Sequence, residues 1–278
     1  MSYNFLNKKQ IILPLIILIG LFVLFQSLKT NQVIEIKADQ LITQNEISIL
    51  TQNCYLPKFL DKWQRLDVLS KKIIKDKPDA VFLQEILFSS ELKPLKNDYQ
   101  VYYQRGRLGP KGGLAIATKE KTNDISFYKF KNQGTIFSEQ RNDRIIEKGV
   151  LVVRFSDAIL LNTHLVSIYD DKNDNEAKNN LEQFNQLKEI IQAEKKSGKT
   201  IVLAGDFNFN NESEQYKELT NLLDDQTTSL RETAYLNNQA QQIDFILTNE
   251  GRSSKTFINE YESFVSDHYG IVTKIIFD

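Results

Sequence analysis

The chain has 278 residues, a net charge of −1, one cysteine and two histidines. The near-neutral balance excludes a general electrostatic attraction to nucleic acid, which usually requires a basic face. Because Cys54 is the only cysteine, the chain can form neither an intramolecular disulfide nor a zinc site built from several cysteines.

The N-terminal segment is strongly apolar. Residues 11–25 form a continuous apolar run, with Lys8 and Lys9 before it and Lys29 after it. The run has a length between that of a signal-peptide core and that of a spanning helix, but no small-residue cleavage pattern follows it. We therefore expect residues 1–30 to be an uncleaved single-pass membrane anchor, in preference to a removed signal peptide. The two preceding lysines favour a cytoplasmic N-terminus and a catalytic domain outside the cytoplasm.

A polar linker is expected at residues 31–45, followed by one large domain at residues 46–278. Apolar runs of strand length recur along this domain, for example at residues 46–53, 80–85 and 201–204. Strict alternation of strands and helices is absent, so the pattern favours two packed sheets flanked by helices over a doubly wound parallel fold.

Two longer segments show helical spacing of apolar residues. We expect each set to form the core-facing surface of a helix, the first at Trp63, Leu66, Leu69 and Ile73, and the second at Leu181, Phe184, Leu187 and Ile191.

Polar side chains stand where many of the apolar strands end. The set comprises Asn53, Glu85, His164, Asp206, Asn208, Asp244, Asp267 and His268. Each of these residues alone has a structural explanation, such as a hydrogen-bonded histidine or a turn residue. Both histidines of the chain belong to the set, however, so we expect the set to form a single site.

Asp206 and Asn208 follow the apolar run of residues 201–204. On an extended chain, residues i and i+2 point to the same side, so both polar groups can face one point. The alternative is an ordinary turn after a strand, because Gly, Asp and Asn are common turn residues.

The chemistry of the set suggests a metal and an activated water. Glu85 and the side-chain oxygen of Asn53 are hard ligands suited to Mg²⁺, with Mn²⁺ as a substitute. A histidine with a carboxylate partner can deprotonate water, while a second histidine and an asparagine can donate hydrogen bonds to phosphate oxygens. No Ser or Cys nucleophile motif is present. The residues therefore predict metal-assisted hydrolysis of a phosphodiester by activated water.

The order of these motifs resembles that of the endonuclease/exonuclease/phosphatase (DNase I-like) superfamily. The matching motifs are Gln52-Asn53, Gln84-Glu85, Thr163-His164-Leu165, Gly205-Asp206-Phe207-Asn208, Ile243-Asp244-Phe245 and Ser266-Asp267-His268. The resemblance covers roughly residues 46–278. It implies an α+β fold, a four-layer αββα sandwich of two mixed sheets between helices, preceded here by the N-terminal transmembrane helix.

The resemblance also implies a role for each residue of the set. Asn53 and Glu85 would hold Mg²⁺, and Asp267 would support the metal or phosphate side. Asp206 would orient the attacking water, and His268, paired with Asp244, would be the general base. Asn208 and His164 would bind the phosphate.

Within the superfamily, the chain is most similar to neutral sphingomyelinases, at residues 53–57, in the helix that contains Trp63 and Arg65, and at residues 112–119, 148–151 and 164–169. This resemblance implies a phospholipid substrate, cleaved at its headgroup ester at a membrane surface to which the anchor would confine the enzyme. The alternatives are a nuclease, an inositol-phosphate phosphatase and a binding module without catalytic activity. A nuclease would need basic residues to bind the phosphate backbone, for which the candidates are Arg105, Arg107, Lys111, Arg141 and Arg144. The oligomeric state stays open.

Overall fold

The structure, a computed structural model, describes residues 39–42, 45–55, 61–107, 109–134, 146–168, 174–236, 239–261 and 264–277. Its strands are β1 (Glu46–Asn53), β2 (Ala80–Gln84), β3 (Gln100–Tyr102), β4 (Ala115–Thr118), β5 (Asp124–Lys129), β6 (Gly149–Arg154), β7 (Ala158–His164), β8 (Thr200–Asp206), β9 (Asp224–Asp225), β10 (Ala234–Leu236), β11 (Gln239–Gln241), β12 (Asp244–Thr248), β13 (Arg252–Asn259) and β14 (Gly270–Ile276). Its helices are α1 (Lys62–Asp76), α2 (Asp174–Lys195) and α3 (Glu214–Thr220), with 3₁₀ segments at Ser89–Asn97 and Lys111–Gly113.

The strands form two six-stranded sheets and a short hairpin. The first sheet has the order β13-β14-β1-β2-β4-β3, the second has the order β5-β6-β7-β8-β12-β9, and β10 pairs with β11. Both large sheets are mixed, because β1–β2 and β7–β8 are parallel while their other neighbours run antiparallel.

Three apolar cores connect the layers. The first lies between the sheets and contains Ile49 and Phe82 from one sheet and Leu160 and Val202 from the other. The second packs α2 and α3 on the second sheet, and the third packs α1 and the longer 3₁₀ segment on the first sheet. The prediction of two packed mixed sheets with helices is therefore confirmed.

The strand at residues 200–206 illustrates how the sequence specifies these layers. Alternate side chains of β8 enter different cores: Val202 and Ala204 lie between the sheets, whereas Ile201 and Leu203 face α2 and α3. A strand that is buried on both faces has no polar position to interrupt its apolar run.

The expected faces of the two long helices are wrong at one position each. Trp63 is 54 % exposed and Leu181 is 43 % exposed. On α1, the buried positions beside Trp63 are occupied instead by the charged residues Lys62 and Arg65. Apolar periodicity did not reveal them, because it counts buried charges as surface residues.

The predicted anchor at residues 1–30 lies outside the described residues. Among the helices that the structure describes, none is both long enough and apolar enough to cross a membrane. Part of the segment expected to be a linker packs onto the domain: Leu41 is buried, and the backbone N–H groups of Leu41 and Ile42 donate to the Asp157 carboxylate, each at 2.8 Å.

Candidate active site

The topology brings all eight predicted site residues to one end of the sandwich. Asn53 ends β1 and Glu85 follows β2, and these strands are parallel neighbours. His164 and Asp206 end β7 and β8, and they are direct partners in that parallel pair. Asp244 begins β12 opposite Asp206. Parallel strands end at the same edge of a sheet, and an antiparallel neighbour begins there, so the strand ends converge.

The Asp206 carboxylate lies at the centre of this cluster. Its Oδ2 accepts a hydrogen bond from Asn53 Nδ2 at 2.9 Å. The same oxygen lies 3.5 Å from His164 Nε2 and 3.6 Å from His268 Nε2. Asn53 belongs to the first sheet and Asp206 to the second, so this contact joins the two sheets at the site.

His268 is oriented by a buried carboxylate. Its Nδ1 is 2.9 Å from Asp244 Oδ2, which also accepts a hydrogen bond from the Thr233 hydroxyl at 2.8 Å. Burial by itself lowers the pKa of His268, but Asp244 and Asp206 outweigh this effect and raise the pKa to about 10. The site therefore stabilises an imidazolium once it has formed.

The acidic groups of the site are held in an unfavourable environment. Burial is the main cause that raises the pKa of Asp206 to about 7; the charge of His268 opposes it and that of Asp244 adds to it. Burial also raises the pKa of Asp267, and the charge of Glu85 contributes in the same direction. A bound cation would stabilise the ionised forms of these buried carboxylates, so the electrostatics of the site fit a metal.

Asn53 and Glu85 offer the oxygen ligands expected for such a cation. Asn53 Nδ2 lies 3.3 Å from Glu85 Oε1 and 2.9 Å from Asp206 Oδ2, so the amide nitrogen faces both carboxylates. Asn53 Oδ1 accepts the N–H of Tyr55 at 3.0 Å and keeps a second lone pair. That lone pair and the Glu85 carboxylate are hard oxygen donors of the kind that bind Mg²⁺ or Mn²⁺.

A second group within the described ranges has the spacing of a metal site. Ligand atoms of Asp206, Asp244 and His268 all lie within 4.8 Å of one another. However, His268 Nδ1 and Asp244 Oδ2 are already paired with each other, which suits a base and its orienting carboxylate better than two metal ligands.

Asn208 adopts a different geometry from the extended one expected for residues 206–208. Its φ of 54° is left-handed, so residues 206–208 do not alternate their side chains as an extended strand would. Its backbone N–H donates to Asp206 Oδ1 and its Nδ2 donates to the Leu165 carbonyl, both at 3.0 Å. The turn keeps Asn208 beside Asp206 through these bonds, while Phe207 enters the second core.

His164 has an unusual partner in Lys148. The Lys148 ammonium is buried and lies 3.0 Å from His164 Nε2. Burial, and then the charges of Lys148 and His268, hold the pKa of His164 well below its usual range, so the ring is neutral. Its Nδ1 is buried and has no hydrogen-bond partner among the residues that the structure describes.

Sequence reasoning missed several polar residues around the site. Lys148, Thr233 and Lys62 are buried and contact site residues or their backbone, and buried Glu91 pairs with Lys62. Lys148 directly precedes the buried strand β6 and begins the stretch 148–151 that resembles neutral sphingomyelinases, but no role was predicted for it. Thr233 lies in an irregular polar loop, where no sequence pattern marks it as a site residue.

The glycine-rich loop after Arg105 packs against the backbone of the site at Glu85 and Ile86. Gly113 has a φ of 62°, its carbonyl accepts the N–H of Ile86 at 2.9 Å, and an added Cβ would lie 3.3 Å from Glu85 Cα. The loop therefore packs directly against the turn that carries Glu85.

Two curated protein sequences are similar to this chain. It is 26 % identical over 176 residues to the inositol phosphosphingolipids phospholipase C of Schizosaccharomyces pombe, covering 59 % of this chain and 41 % of that protein. It is 25 % identical over 269 residues to a putative neutral sphingomyelinase of Drosophila melanogaster, covering 83 % of this chain and 60 % of that protein. The chain thus spans less than two thirds of the length of either relative.

Solved structures share the fold. The D. rerio TDP2 structure complexed with a single-strand DNA product matches with a TM-score of 0.64 and 18 % sequence identity, covering 84 % of this chain and 99 % of that one. At this level of identity the likeness concerns the fold alone. The sequence model of the Endonuclease/Exonuclease/phosphatase family matches residues 50–268, a range that includes the whole predicted site. The chain belongs to the Endonuclease/Exonuclease/phosphatase family.

Proposed function

We propose that this protein is a metal-dependent phosphodiesterase in which an activated water attacks phosphorus. The observation that carries the proposal is the position of Asp206 Oδ2, which contacts Asn53 at 2.9 Å and lies 3.6 Å from His268 Nε2. One carboxylate thus faces a candidate metal ligand on one side and a candidate base on the other. A water held by Asp206 would stand beside both.

His268 is the proposed general base. Its Nδ1–H donates to Asp244, which leaves Nε2 as the atom that takes the proton from water. Asp244 and Asp206 then stabilise the imidazolium product. The Thr233 hydroxyl, which donates to the same Asp244 oxygen, keeps the carboxylate oriented toward the ring.

Asn53 and Glu85 would hold the Mg²⁺, with Mn²⁺ as a substitute, and Asp267 would support the metal side. When bound, the ion would neutralise charge on a phosphate oxygen. Asn208 and His164 would bind the remaining phosphate oxygens, and the Lys148 ammonium, 3.0 Å from His164 Nε2, would add positive charge there.

We further propose that the substrate is a phospholipid of the sphingomyelin type. Its headgroup ester would be cleaved between phosphorus and the lipid oxygen, so that phosphocholine is released and the lipid leaves as an alcohol. The support is that both curated relatives bear names of sphingolipid-cleaving enzymes. An anchor at residues 1–30 would hold the catalytic domain at a membrane surface outside the cytoplasm, where such a lipid can be reached.

A nuclease is the second candidate. Its support is the shared fold with a protein whose structure contains a DNA product, together with the basic residues Arg105, Arg107 and Lys111 near the glycine-rich loop. Such an enzyme should lose activity steeply with rising salt, because each phosphate contact releases counterions.

A substrate panel tests the proposal. Purified protein is incubated with sphingomyelin in mixed micelles, lysophospholipid, DNA and inositol phosphates, each with Mg²⁺ and with a chelator. We expect phosphocholine release from sphingomyelin that the chelator abolishes. DNA cleavage without phosphocholine release would refute the lipid assignment and favour the nuclease.

A further inference from the structure

Two buried cationic side chains on α1 have no part in the proposed chemistry. Lys62 is 2 % exposed and Arg65 is 4 % exposed. Each has an acidic partner: Lys62 Nζ lies 3.2 Å from Glu91 Oε2, and Arg65 Nε lies 3.1 Å from Asp61 Oδ1. Burying charge is costly even when it is paired, so their placement calls for a reason beyond packing.

Lys62 holds the backbone of the proposed metal ligand Glu85. Its Nζ donates to the Glu85 carbonyl at 2.8 Å, and the N–H of Ile86 donates to the Gly113 carbonyl at 2.9 Å. The Glu85 carbonyl and the Ile86 N–H belong to one peptide unit, so this unit is fixed at both ends. Glu85 itself has a φ of 60°, in the left-handed region.

Arg65 holds the end of the neighbouring strand in the same manner. Its guanidinium donates to the carbonyls of Tyr55 at 3.0 Å, Cys54 at 3.1 Å and Val265 at 2.7 Å. Tyr55 also has a left-handed φ, 54°, and its N–H donates to Asn53 Oδ1 at 3.0 Å. Arg65 thereby links the segment after Asn53 to the segment that leads into the His268 loop.

We propose that Lys62 and Arg65 are positioning residues that hold in place the backbone turns at Asn53 and Glu85, the proposed metal ligands. Left-handed conformations of non-glycine residues persist only where the surrounding structure over-determines them. Here α1 supplies cationic donors to the carbonyls of two such residues: Arg65 donates to Tyr55, and Lys62 donates to Glu85. The inference rests on the metal site of the proposed function, but it does not depend on which phosphodiester is the substrate.

Replacing Lys62 would change cation affinity in two opposite ways, through its charge and through its hydrogen bond to Glu85. A buried ammonium close to a metal site repels the metal, so the loss of its charge alone would tighten cation binding. The loss of its hydrogen bond to Glu85 would weaken cation binding, because the ligand turn could relax. Loss of the partner carboxylate Glu91 has the opposite charge effect, so a variant that loses both charges isolates the effect of the hydrogen bond to Glu85.

Mn²⁺ binding, measured by electron paramagnetic resonance without substrate, tests the proposal. The double variant Lys62→Met/Glu91→Gln removes the donor without leaving an unpaired buried carboxylate or changing the net charge. We expect its Mn²⁺ affinity to fall about 10–100-fold, the usual loss when a supporting partner of a metal ligand is removed. Lys71→Met is the matched control, since Lys71 is on the same helix but its side chain is 74 % exposed. Unchanged affinity in a folded double variant would overturn the proposal.

Arg65→Lys provides an independent test that conserves charge. A lysine cannot serve three carbonyls with the geometry of a guanidinium fork, so we expect weaker Mn²⁺ binding here as well. If the Lys62 double variant does not fold, this variant decides, and wild-type affinity in it overturns the proposal. Glu85→Gln separates the two levels of inference: Mn²⁺ binding that survives this change would contradict the metal site itself, whatever the effect of Lys62 and Arg65.

Discussion

At the scale of single residues, the site depends on an imidazole that lies between two buried carboxylates. His268 Nδ1 contacts Asp244 at 2.9 Å, and Nε2 lies 3.6 Å from Asp206. The first contact fixes the tautomer and the second places the reactive nitrogen next to the proposed water. This arrangement gives the two histidines of the chain different properties, because burial next to Lys148 keeps His164 neutral.

Replacing His268 by alanine should remove the proposed base while leaving the metal ligands in place. We expect kcat to fall about 10²–10⁴-fold, the usual contribution of a positioned general base. Thermal unfolding and Mn²⁺ binding serve as controls and should show a folded protein that still binds metal. An unchanged rate would refute the assignment of His268 as the base.

The pH dependence should report the influence of Asp244 on His268. A base must be deprotonated to act, so activity should rise with pH through the pKa of His268. Because Asp244 raises that pKa, Asp244→Asn should shift the acidic limb of the kcat/KM profile to lower pH while also reducing kcat. A limb that stays in place or moves to higher pH would contradict the proposed pairing.

At the scale of elements, the close approach of β7 and β8 sets the distance between His164 and Asp206. Gly205 has a φ of 149°, and a Cβ added there would lie 2.0 Å from the Thr163 carbonyl oxygen. Backbone atoms cannot rotate away as a flexible side chain would. Glycine is therefore required at the position that precedes the central carboxylate.

Gly205→Ala should destabilise the protein more than a glycine substitution that meets no neighbour. Gly198 is the matched control, because its φ of 69° is also positive but an added Cβ would find nothing within 4 Å. We expect Gly198→Ala to cost about 1–2 kcal/mol from its backbone conformation alone. Gly205→Ala should cost about 1–3 kcal/mol more because of overpacking. Urea unfolding with equal m-values measures both losses, and similar losses would contradict the steric argument.

At the scale of the whole molecule, the site is assembled from both sheets, and its proposed substrate lies in a membrane. The contact between Asn53 and Asp206 crosses from one sheet to the other. A second link lies below it, where buried Asn162 donates to the Leu83 and Ala115 carbonyls, both at 2.9 Å. The relative position of the sheets thus determines the geometry of the site.

Deleting residues 1–30 should separate surface attachment from chemistry. We expect the deletion to reduce activity on sphingomyelin vesicles by about 10²-fold or more, since tethering raises the effective concentration of substrate. Activity on mixed micelles, to which enzyme has access from solution, should stay close to that of the full chain. Equal activity of the two proteins on vesicles would argue against an anchoring role.

The sequence by itself predicted the candidate site residues, and it determined the general architecture of two packed mixed sheets with helices. Buried strands must be apolar, so polar side chains that follow such runs are conspicuous, and their order along the chain resembled the family to which the chain belongs. The rule that buried residues are apolar did not find the buried residues that carry a charge. Lys62, Arg65 and Lys148 look like surface residues in the sequence, because a single chain position carries no information about its partner.

Only the tertiary structure decided how these residues meet. The contact of Asp206 with Asn53 joins residues 153 positions apart, and that of Asn53 with Glu85 joins residues 32 positions apart. Asn208 showed the limit of local reasoning, since its left-handed turn replaced the extended geometry expected from spacing. Lys62 and Arg65 donate to the carbonyls of Glu85 and Tyr55, the left-handed residues after two strand ends, and these hydrogen bonds form only after α1 has packed on the first sheet.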